Sequence, residues 1–460
     1  MTRSRRWRLA TASRGAALLV FLLPPLAVRA QSGPTIDRRV LDNGLEVIVV
    51  PSGSTPLVTV ELVVRNGAFT QVTEAEEGLP HLLEHMVFKA RTDLPTRASD
   101  LDASYNGVTD TDAVAYYMTV PARRLDDAVE LMADLAMDPE FRPEHLDTER
   151  QVVEDEIRRV STDPYEVFQF YQGIYLWRDA AGRKNPLGSL VTLAAVTAGQ
   201  LTEYYRRFYI PNNAALVVSG AVEPEDAFES ARRRFGDWKR GPDPLDALPL
   251  PPIAPLASDT VFVVPHEASD ITFSVAWHGP SASDSETAVL ADVLMASANA
   301  SWGAIQRELV DSGLFTAVSF SYQQHRDTGP MSIMARTTPE QLPDAARRLQ
   351  EVLASLAHPD FIADEDVIAA KASLRVGRAF LFERTASVAH QVAAHWSNRN
   401  LGFFEGYEAA VESVTPEAVR AFMVEYLGHG PRVVGVLLSE ETIQAYREPI
   451  LRSLEGWIRP

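Results

Sequence analysis

Residues 81–85 read His-Leu-Leu-Glu-His, and this short string determines how the rest of the chain is interpreted. Histidines four residues apart lie on one face of an α-helix, so His81 and His85 can bind the same metal ion. Glu84 projects toward the same region, where its carboxylate can take a proton from water. Two neutral imidazoles and one further donor are typical of a catalytic zinc site, which leaves its fourth position to water. The alternative is a core helix in which both histidines only pack.

A second helix is predicted after Pro143, because residues 144–160 contain neither glycine nor proline. At about 100° per residue, its apolar side chains form one arc. The members of this arc are Leu146, Val152, Val153, Ile157 and Val160. Glu149 and Glu156 also fall within it, whereas Glu154 and Asp155 lie on the solvated side. A carboxylate without a partner on the core side is unfavourable, so the pair predicts a bound cation. The angles alone do not decide which of the two is the third ligand.

The string His81–His85, preceded by Glu-Glu-Gly-Leu-Pro and followed by Met-Val-Phe, resembles the zinc motif of a metallopeptidase family. This is the family of pitrilysin, insulysin and mitochondrial processing peptidase, and its motif has the inverzincin order. The segment from Glu149 to Glu156 resembles the family's distal segment, in which the second glutamate binds zinc and the first supports it. The resemblance therefore implies one Zn²⁺ on His81, His85 and Glu156. It also implies Glu84 as the catalytic base and Glu149 as a supporting residue of the catalytic site.

Further segments extend the resemblance from about residue 36 to the C-terminus, most closely before residue 240. Residues 106–112, followed by Tyr116-Tyr117, are similar to the strand region that borders the family's cleft, which implies that Asn106 contacts substrate. Residues 204–220 resemble the helix-to-strand passage near the end of the family's first domain. The length is that of the short, half-length members.

Residues 306–318 resemble the segment in which active members carry an arginine and a tyrosine that bind substrate. Arg307 matches the arginine, but Phe315 stands where the tyrosine is expected, with one extra residue between them. Phenylalanine has no hydroxyl group and cannot donate a hydrogen bond to an oxyanion. Members of this length act as paired halves, so the resemblance implies a homologous second subunit that supplies arginine and tyrosine. The alternative is a homodimer in which Thr316 or Tyr322 supplies the hydroxyl group.

The order of predicted elements indicates an α+β fold with two similar domains, each a mostly antiparallel sheet covered by helices. Asp42-Asn43-Gly44 predicts a hairpin turn, and residues 58–64 predict a strand before the zinc helix. Residues 260–265 and 271–277 repeat this two-strand opening. We therefore predict a zinc-bearing domain at 36–240, a proline-rich linker at 241–257 and a second domain without the motif at 258–460.

Two histidines of the predicted second domain, His390 and His395, are five residues apart with no acidic residue between them. They are therefore predicted to be packing or surface residues rather than metal ligands.

The N-terminus has the pattern of a secretory signal peptide. Arginines precede the apolar run from Ala16 to Val28, and the small residues of Val28-Arg29-Ala30 favour cleavage before Gln31. The run is shorter than the ~20 residues of a membrane span, and no later segment predicts one. We therefore expect a periplasmic or secreted protein, with residues 1–30 removed.

Charge and cysteine content exclude several function classes. Removal of residues 1–30 takes away six arginines and no acidic residue, which changes the formal charge from −19 to −25. This balance argues against nucleic acid and anionic lipid as partners. The absence of cysteine from the sequence excludes disulfides and thiolate chemistry.

These features together predict an exported zinc endopeptidase that cleaves peptides or unfolded segments in an enclosed chamber. The alternative is a non-catalytic scaffold subunit of a peptidase-like complex. Glu84 favours the enzyme, because a scaffold needs no base beside the metal. A zinc-storage protein or sensor is disfavoured because the sequence contains one His-x-x-Glu-His string.

Overall fold

The computed structural model describes residues 35–53, 55–268, 270–355 and 361–458. The described residues form one compact unit, which is built on two β-sheets. The predicted signal peptide, residues 1–30, lies outside the described residues. Within the described ranges, no helix is both long and apolar enough to cross a bilayer.

The first sheet has six strands in the order β1-β2-β6-β3-β5-β4. Neighbouring strands are antiparallel, except that β2 pairs with β6 in parallel. The bounds are β1 (Asp37–Val40), β2 (Glu46–Pro51), β3 (Leu57–Val64), β4 (Ser104–Thr109), β5 (Val114–Pro121) and β6 (Ala214–Gly220). The predicted hairpin at the start is confirmed, and its turn places Gly44 at a φ of +94°, which glycine adopts readily.

The second sheet repeats this topology with five strands in the order β7-β11-β8-β10-β9. Its single parallel pair, β7 with β11, corresponds to β2 with β6. The bounds are β7 (Thr260–Pro265), β8 (Ile271–His278), β9 (Ala317–Tyr322), β10 (Pro330–Thr337) and β11 (Val433–Leu438). The predicted fold class is therefore confirmed. Residues 241–257 contain neither helix nor strand, and the domain boundaries placed there stay a prediction.

Helices follow the strands in the same order in both domains. Those of the first domain are α1 (Leu79–Lys89), α2 (Leu94–Asp100), α3 (Leu125–Ala136), α4 (Pro143–Val160), α5 (Pro164–Trp177), α6 (Leu190–Ala195), α7 (Ala198–Phe208) and α8 (Pro224–Phe235). Those of the second are α9 (Ser285–Ala298), α10 (Ala304–Gln306), α11 (Leu342–Ser355), α12 (Asp364–Leu381), α13 (Thr385–Ser397), α14 (Leu401–Ser413), α15 (Pro416–Met423), α16 (Glu440–Ala445) and α17 (Arg447–Glu455). By position along the chain, α9 corresponds to α1, α12 to α4, and α13 to α5.

Each sheet is covered on one face by a helix of the other domain. Every residue of β3 from Val58 to Val64 is at most 1% exposed, because the strand is buried on both faces. The first domain's helices pack on one face, and α13 of the second domain packs on the other through residues such as Val388 and Val392. In return, α5 packs Phe168 and Trp177 against the second sheet. This exchange holds the two domains together through apolar burial.

Helix α4 confirms the predicted helix but corrects its apolar arc. Leu146 and Val153 are buried as expected, whereas Val152 is 47% exposed, so its predicted burial was wrong. The reason is that α4 packs on α1 and α6 through a narrow stripe, and Glu149, at 9% exposed, takes part in that stripe.

Candidate metal centre

Helix α1 positions the histidine motif because its start is fixed by the backbone. Gly78 precedes the helix at a φ of +80°, and a Cβ atom there would lie 2.8 Å from the Leu187 carbonyl oxygen. Pro80 occupies the first turn, where its missing N–H has no helical partner to lose. The buried leucines of α1, including Leu82 and Leu83, face the core. This anchoring leaves His81 and His85 free to face the distal end of α4.

Donor atoms of His81, His85 and Glu156 lie within 4.8 Å of one another, the arrangement expected of three ligands of one ion. Glu156 Oε2 is 3.5 Å from His81 Nε2 and 3.7 Å from His85 Nε2. Tetrahedral zinc with bonds of about 2.0–2.2 Å separates its donors by roughly 3.3–3.6 Å, so the three residues fit this ion. Burial, together with the neighbouring His85, lowers the pKa of His81 to about 4. Its imidazole is therefore neutral near pH 7, as a metal ligand must be.

Glu149 supports His85 from the side opposite Glu156. Its Oε2 atom lies 3.2 Å from His85 Nδ1, and its Oε1 atom lies 3.0 Å from the Lys89 ammonium nitrogen. A carboxylate on Nδ1 holds that nitrogen in its protonated form, which leaves the Nε2 lone pair for a metal. His81 has no such support, since its buried Nδ1 finds no hydrogen-bond partner among the described residues.

The side chain of Glu84 extends from α1 toward β4, and the residue is 8% exposed. Thr109 Oγ1 donates a 2.6 Å hydrogen bond to its Oε2 atom. Burial raises the pKa of the Glu84 carboxyl, and the hydrogen bond from Thr109 acts in the opposite direction. A Cβ atom at Gly107 would lie only 2.5 Å from Glu84 Oε1, so the strand makes room for this carboxylate. A carboxylate held in this way is placed to accept a proton and to return it.

A cavity of about 760 Å³ opens beside these residues. Its walls include the three candidate ligands, Glu84 and residues 105–109 of β4. Asn106, predicted to contact substrate, is among them. β4 is the edge strand of its sheet and, among the described strands, pairs only with β5, so its other edge is available to an extended chain.

The residues predicted to complete the site from the second domain do not reach this cavity. Arg307 is exposed, and its guanidinium donates a 2.7 Å hydrogen bond to the Trp302 carbonyl oxygen. Phe315 is 2% exposed within the second domain's core. The hydroxyl groups of Thr316 and Tyr322 donate to carbonyl oxygens of their own domain. None of these four residues lines the cavity.

His390 and His395 lie on α13, away from the metal centre. His390 Nδ1 is 2.6 Å from Glu61 Oε2 of the buried strand β3. His395 packs against the rings of Phe403 and Phe404. Across the described part of the chain, the set of His81, His85 and Glu156 is the one group with metal-ligand spacing.

Three residues of the site were missed by the sequence analysis: Thr109, Gly107 and Lys89. Thr109 and Gly107 lie within the quoted segment 106–112, and strand periodicity places both on the face opposite Asn106. That periodicity could have indicated them once Glu84 was assigned. Lys89 lies four residues after His85, so helical spacing places it beside the same carboxylate.

Residues 47–177 match the family described as Insulinase (Peptidase family M16). Residues 195–374 match a second family, described as Peptidase M16 inactive domain. The chain belongs to peptidase family M16. The resemblance inferred from the histidine motif is thereby confirmed.

Similar M16 proteins include an uncharacterized zinc protease of Rickettsia felis, 28% identical over 208 residues, or 44% of this chain and 50% of that protein. The chain thus spans about half the length of this relative. A protease of Helicobacter pylori has a similar crystal structure, with a TM-score of 0.79 at 20% identity over 88% of this chain and 100% of that one. For the periplasmic protease PqqL of Escherichia coli, the TM-score is 0.73 at 16% identity, over 92% of this chain and 50% of that one.

Proposed function

We propose that the chain is a zinc-dependent endopeptidase acting on peptides or unfolded segments. The observation that carries the proposal is the convergence of His81, His85 and Glu156 beside the carboxylate of Glu84. The description of the R. felis relative as a zinc protease supports the choice of metal.

His81, His85 and Glu156 would hold the metal, and Glu149 would fix the orientation of His85. When bound, zinc supplies Lewis acidity that lowers the pKa of water and polarises a peptide carbonyl. Glu84 then acts as the base that accepts a proton from the attacking water and returns it to the leaving amine. The hydrogen bond from Thr109 keeps the Glu84 carboxylate directed into the cavity during both transfers.

The edge strand β4 offers a place for the substrate backbone. An extended peptide can add to its free edge through main-chain hydrogen bonds, with Asn106 beside it and the candidate metal ligands across the cavity. Binding through the main chain tolerates many side chains, which suits a peptidase that acts on unfolded segments.

The active unit, in this proposal, contains a second M16-type subunit. Arg307 and Phe315 lie outside the cavity, and Phe315 lacks the hydroxyl group that would stabilise an oxyanion. PqqL matches this chain over half of its own length, so its single chain has room for two such units. A homologous subunit closing over β4 would supply arginine and tyrosine and enclose the substrate. We further propose that the protein works after export, as the pattern of residues 1–30 suggests.

The proposal is tested by hydrolysis of an unfolded protein substrate after chelation and zinc return, with any second subunit encoded beside this chain present. We expect chelation to abolish hydrolysis and one zinc per chain to restore it. Glu156→Gln should weaken zinc binding severely. Glu154→Gln, which alters a surface carboxylate paired with Arg158, should have no effect and serves as the matched control.

Three results would contradict this assignment. Hydrolysis that persists in chelator excludes a metallopeptidase. Metal loss in Glu154→Gln with retention in Glu156→Gln would show that a different face of α4 binds the ion. Zinc binding without any hydrolysis would identify the chain as a non-catalytic scaffold subunit.

A further inference from the structure

The second domain contains a cavity of about 780 Å³ at the position that corresponds to the metal cavity of the first. It is lined by α9, α12 and β9, as α1, α4 and β4 line the first cavity, and additionally by α13 and α14. The duplicated fold has therefore kept a cavity here but has placed different side chains in it. Asp292, Arg378 and His395 are the Asp, Arg and His side chains of its lining.

Asp292 presents one carboxylate oxygen that is without a hydrogen-bond partner among the described residues. Its Oδ2 atom accepts hydrogen bonds from the Tyr407 hydroxyl at 3.0 Å and from Gln324 Nε2 at 3.3 Å. Its Oδ1 atom accepts none from any residue that the structure describes. Burial raises the pKa of Asp292 to about 6, which reflects the cost of ionising this group without a cation beside it.

Arg378 supplies the opposite charge on another wall and is 8% exposed. Its Nη2 atom donates a 2.6 Å hydrogen bond to the Phe404 carbonyl oxygen, while Nη1 donates to no described residue. Glu408 lies 3.5 Å from Nε and is itself 45% exposed, so it neutralises the guanidinium only in part. Neither ring nitrogen of His395, another residue of the wall, has a hydrogen-bond partner in the described parts of the chain.

The spacing of the two charges is set by Tyr407. Its hydroxyl group contacts Asp292, and the Cζ atom of Arg378 lies 5.3 Å from the centre of its ring. A single tyrosine ring therefore separates the carboxylate from the guanidinium. Apolar groups of Met295, Ala296, Leu374 and Leu381 form part of the wall beside them.

We propose that this cavity binds a small zwitterion, namely a free α-amino acid or a short peptide with unblocked termini. The ligand's carboxylate pairs with Arg378, its ammonium group pairs with Asp292 Oδ1, and an apolar side chain packs on Met295 and Leu374. The volume is within the range of about 300–1,000 Å³ typical of small-molecule sites. The site goes beyond the proposed peptidase function, because its residues are distinct from the metal centre and bind whether or not the chain hydrolyses peptides.

The test is calorimetric titration of the full chain carrying Glu84→Gln, with and without zinc. The dipeptide leucyl-leucine is the probe, and N-acetyl-leucyl-leucine amide is its uncharged counterpart. We expect saturable binding of the zwitterion in both metal states, and binding of the blocked peptide weaker by about tenfold or more. Asp292→Asn keeps an acceptor for Tyr407 but removes the negative charge. It should weaken binding of the zwitterion by a similar factor.

Gly377→Trp tests whether the dipeptide binds in this cavity, without disturbing the core. Gly377 lies within α12 on the cavity wall, and a Cβ atom there would have no neighbour within 4 Å. The substitution fills the cavity and replaces a residue that disfavours helix, so the variant should fold. Gly402→Trp, at an equally open helical position outside the cavity, is the matched control. We expect the first to abolish binding and the second to leave it unchanged.

The proposal is overturned if saturable binding is absent up to roughly 10 mM dipeptide, a weak affinity even for a small ligand. It is equally overturned if Gly377→Trp binds as well as Gly402→Trp, or if the blocked peptide binds as well as the zwitterion. Binding that requires zinc would place the dipeptide at the metal centre and would also exclude this cavity.

Discussion

Glu149 contacts two residues of one helix, and its role differs from that of Glu156 although both lie on the same side of α4. It is placed against His85 Nδ1 and Lys89, whereas Glu156 faces both Nε2 atoms. Glu149→Gln should therefore retain the ligand set but lower zinc affinity by ~10–100-fold, as loss of a supporting hydrogen bond typically does. Competition with a chromogenic chelator measures this change. An affinity equal to that of Glu154→Gln would mean that Glu149 does not support the metal.

The metal ligands could be predicted from the sequence, but the residues that contact Glu84 could not. His81 and His85 follow from helical spacing, and the family resemblance distinguished Glu156 from Glu149, which the helical angles could not do. The role of Thr109 could not be predicted, because its contact with Glu84 depends on which strand lies beside α1. Val152 was misjudged because the hydrophobic pattern predicted a wider apolar arc than the packing of α4 on α1 provides.

Helix α13 is one of the two helices that pack across between the domains, and it carries a half-buried histidine whose ionisation opposes folding. Burial, reinforced by Arg378, lowers the pKa of His395 from 6.5 to about 4. The folded pKa lies below the unfolded one, so the unfolded chain takes up the proton first and stability falls as pH decreases between these values. Going from about pH 7 to about pH 5, this histidine should lower the free energy of unfolding by about 2 kcal/mol.

The variant His395→Gln isolates this contribution, since it cannot ionise. Urea unfolding of both proteins at the two pH values should show a smaller loss of stability in the variant, by about 2 kcal/mol. Other groups, including His81, contribute equally to both proteins and cancel in the difference. Equal losses in the two proteins would show that His395 is protonated in the folded state.

The helices and strands were largely predictable from the sequence, but which of them pack against one another was not. The continuous apolar run at 58–64 predicts a strand, and its burial on both faces is what such a run indicates. That α13, more than 300 residues later in the chain, covers one of these faces depends on tertiary packing. No local pattern encodes a contact of that sequence separation.

For the whole molecule, the central prediction concerns the second subunit. Because Phe315 is buried and without a hydroxyl group, the isolated chain should hydrolyse peptides slowly. Loss of one oxyanion donor typically lowers the rate by ~10²–10³, and a homologous subunit that carries arginine and tyrosine should restore it. Steady-state assays of the chain alone, of the mixture, and of a mixture in which that tyrosine is replaced by phenylalanine measure this effect. Full activity of the chain alone, unchanged by the partner, would favour the homodimer.

The repeated sheet topology was foreseen from the repeated strand pattern, whereas the second cavity was not. Its Asp, Arg and His residues, Asp292, Arg378 and His395, are spread over more than 100 residues and form no motif. They come together because the second domain folds as the first does, with α9, α12 and β9 in equivalent places.

Peptide hydrolysis by the Glu84→Gln variant tests the central claim most directly. Glutamine keeps the size of the side chain and can still hydrogen-bond to Thr109, but it cannot accept the proton from water. The account predicts that zinc content stays at one per chain while turnover, measured with the second subunit present, falls by ~10²–10⁴. Turnover equal to that of the unaltered protein would contradict the account, and loss of zinc from a folded variant would instead make Glu84 a metal ligand.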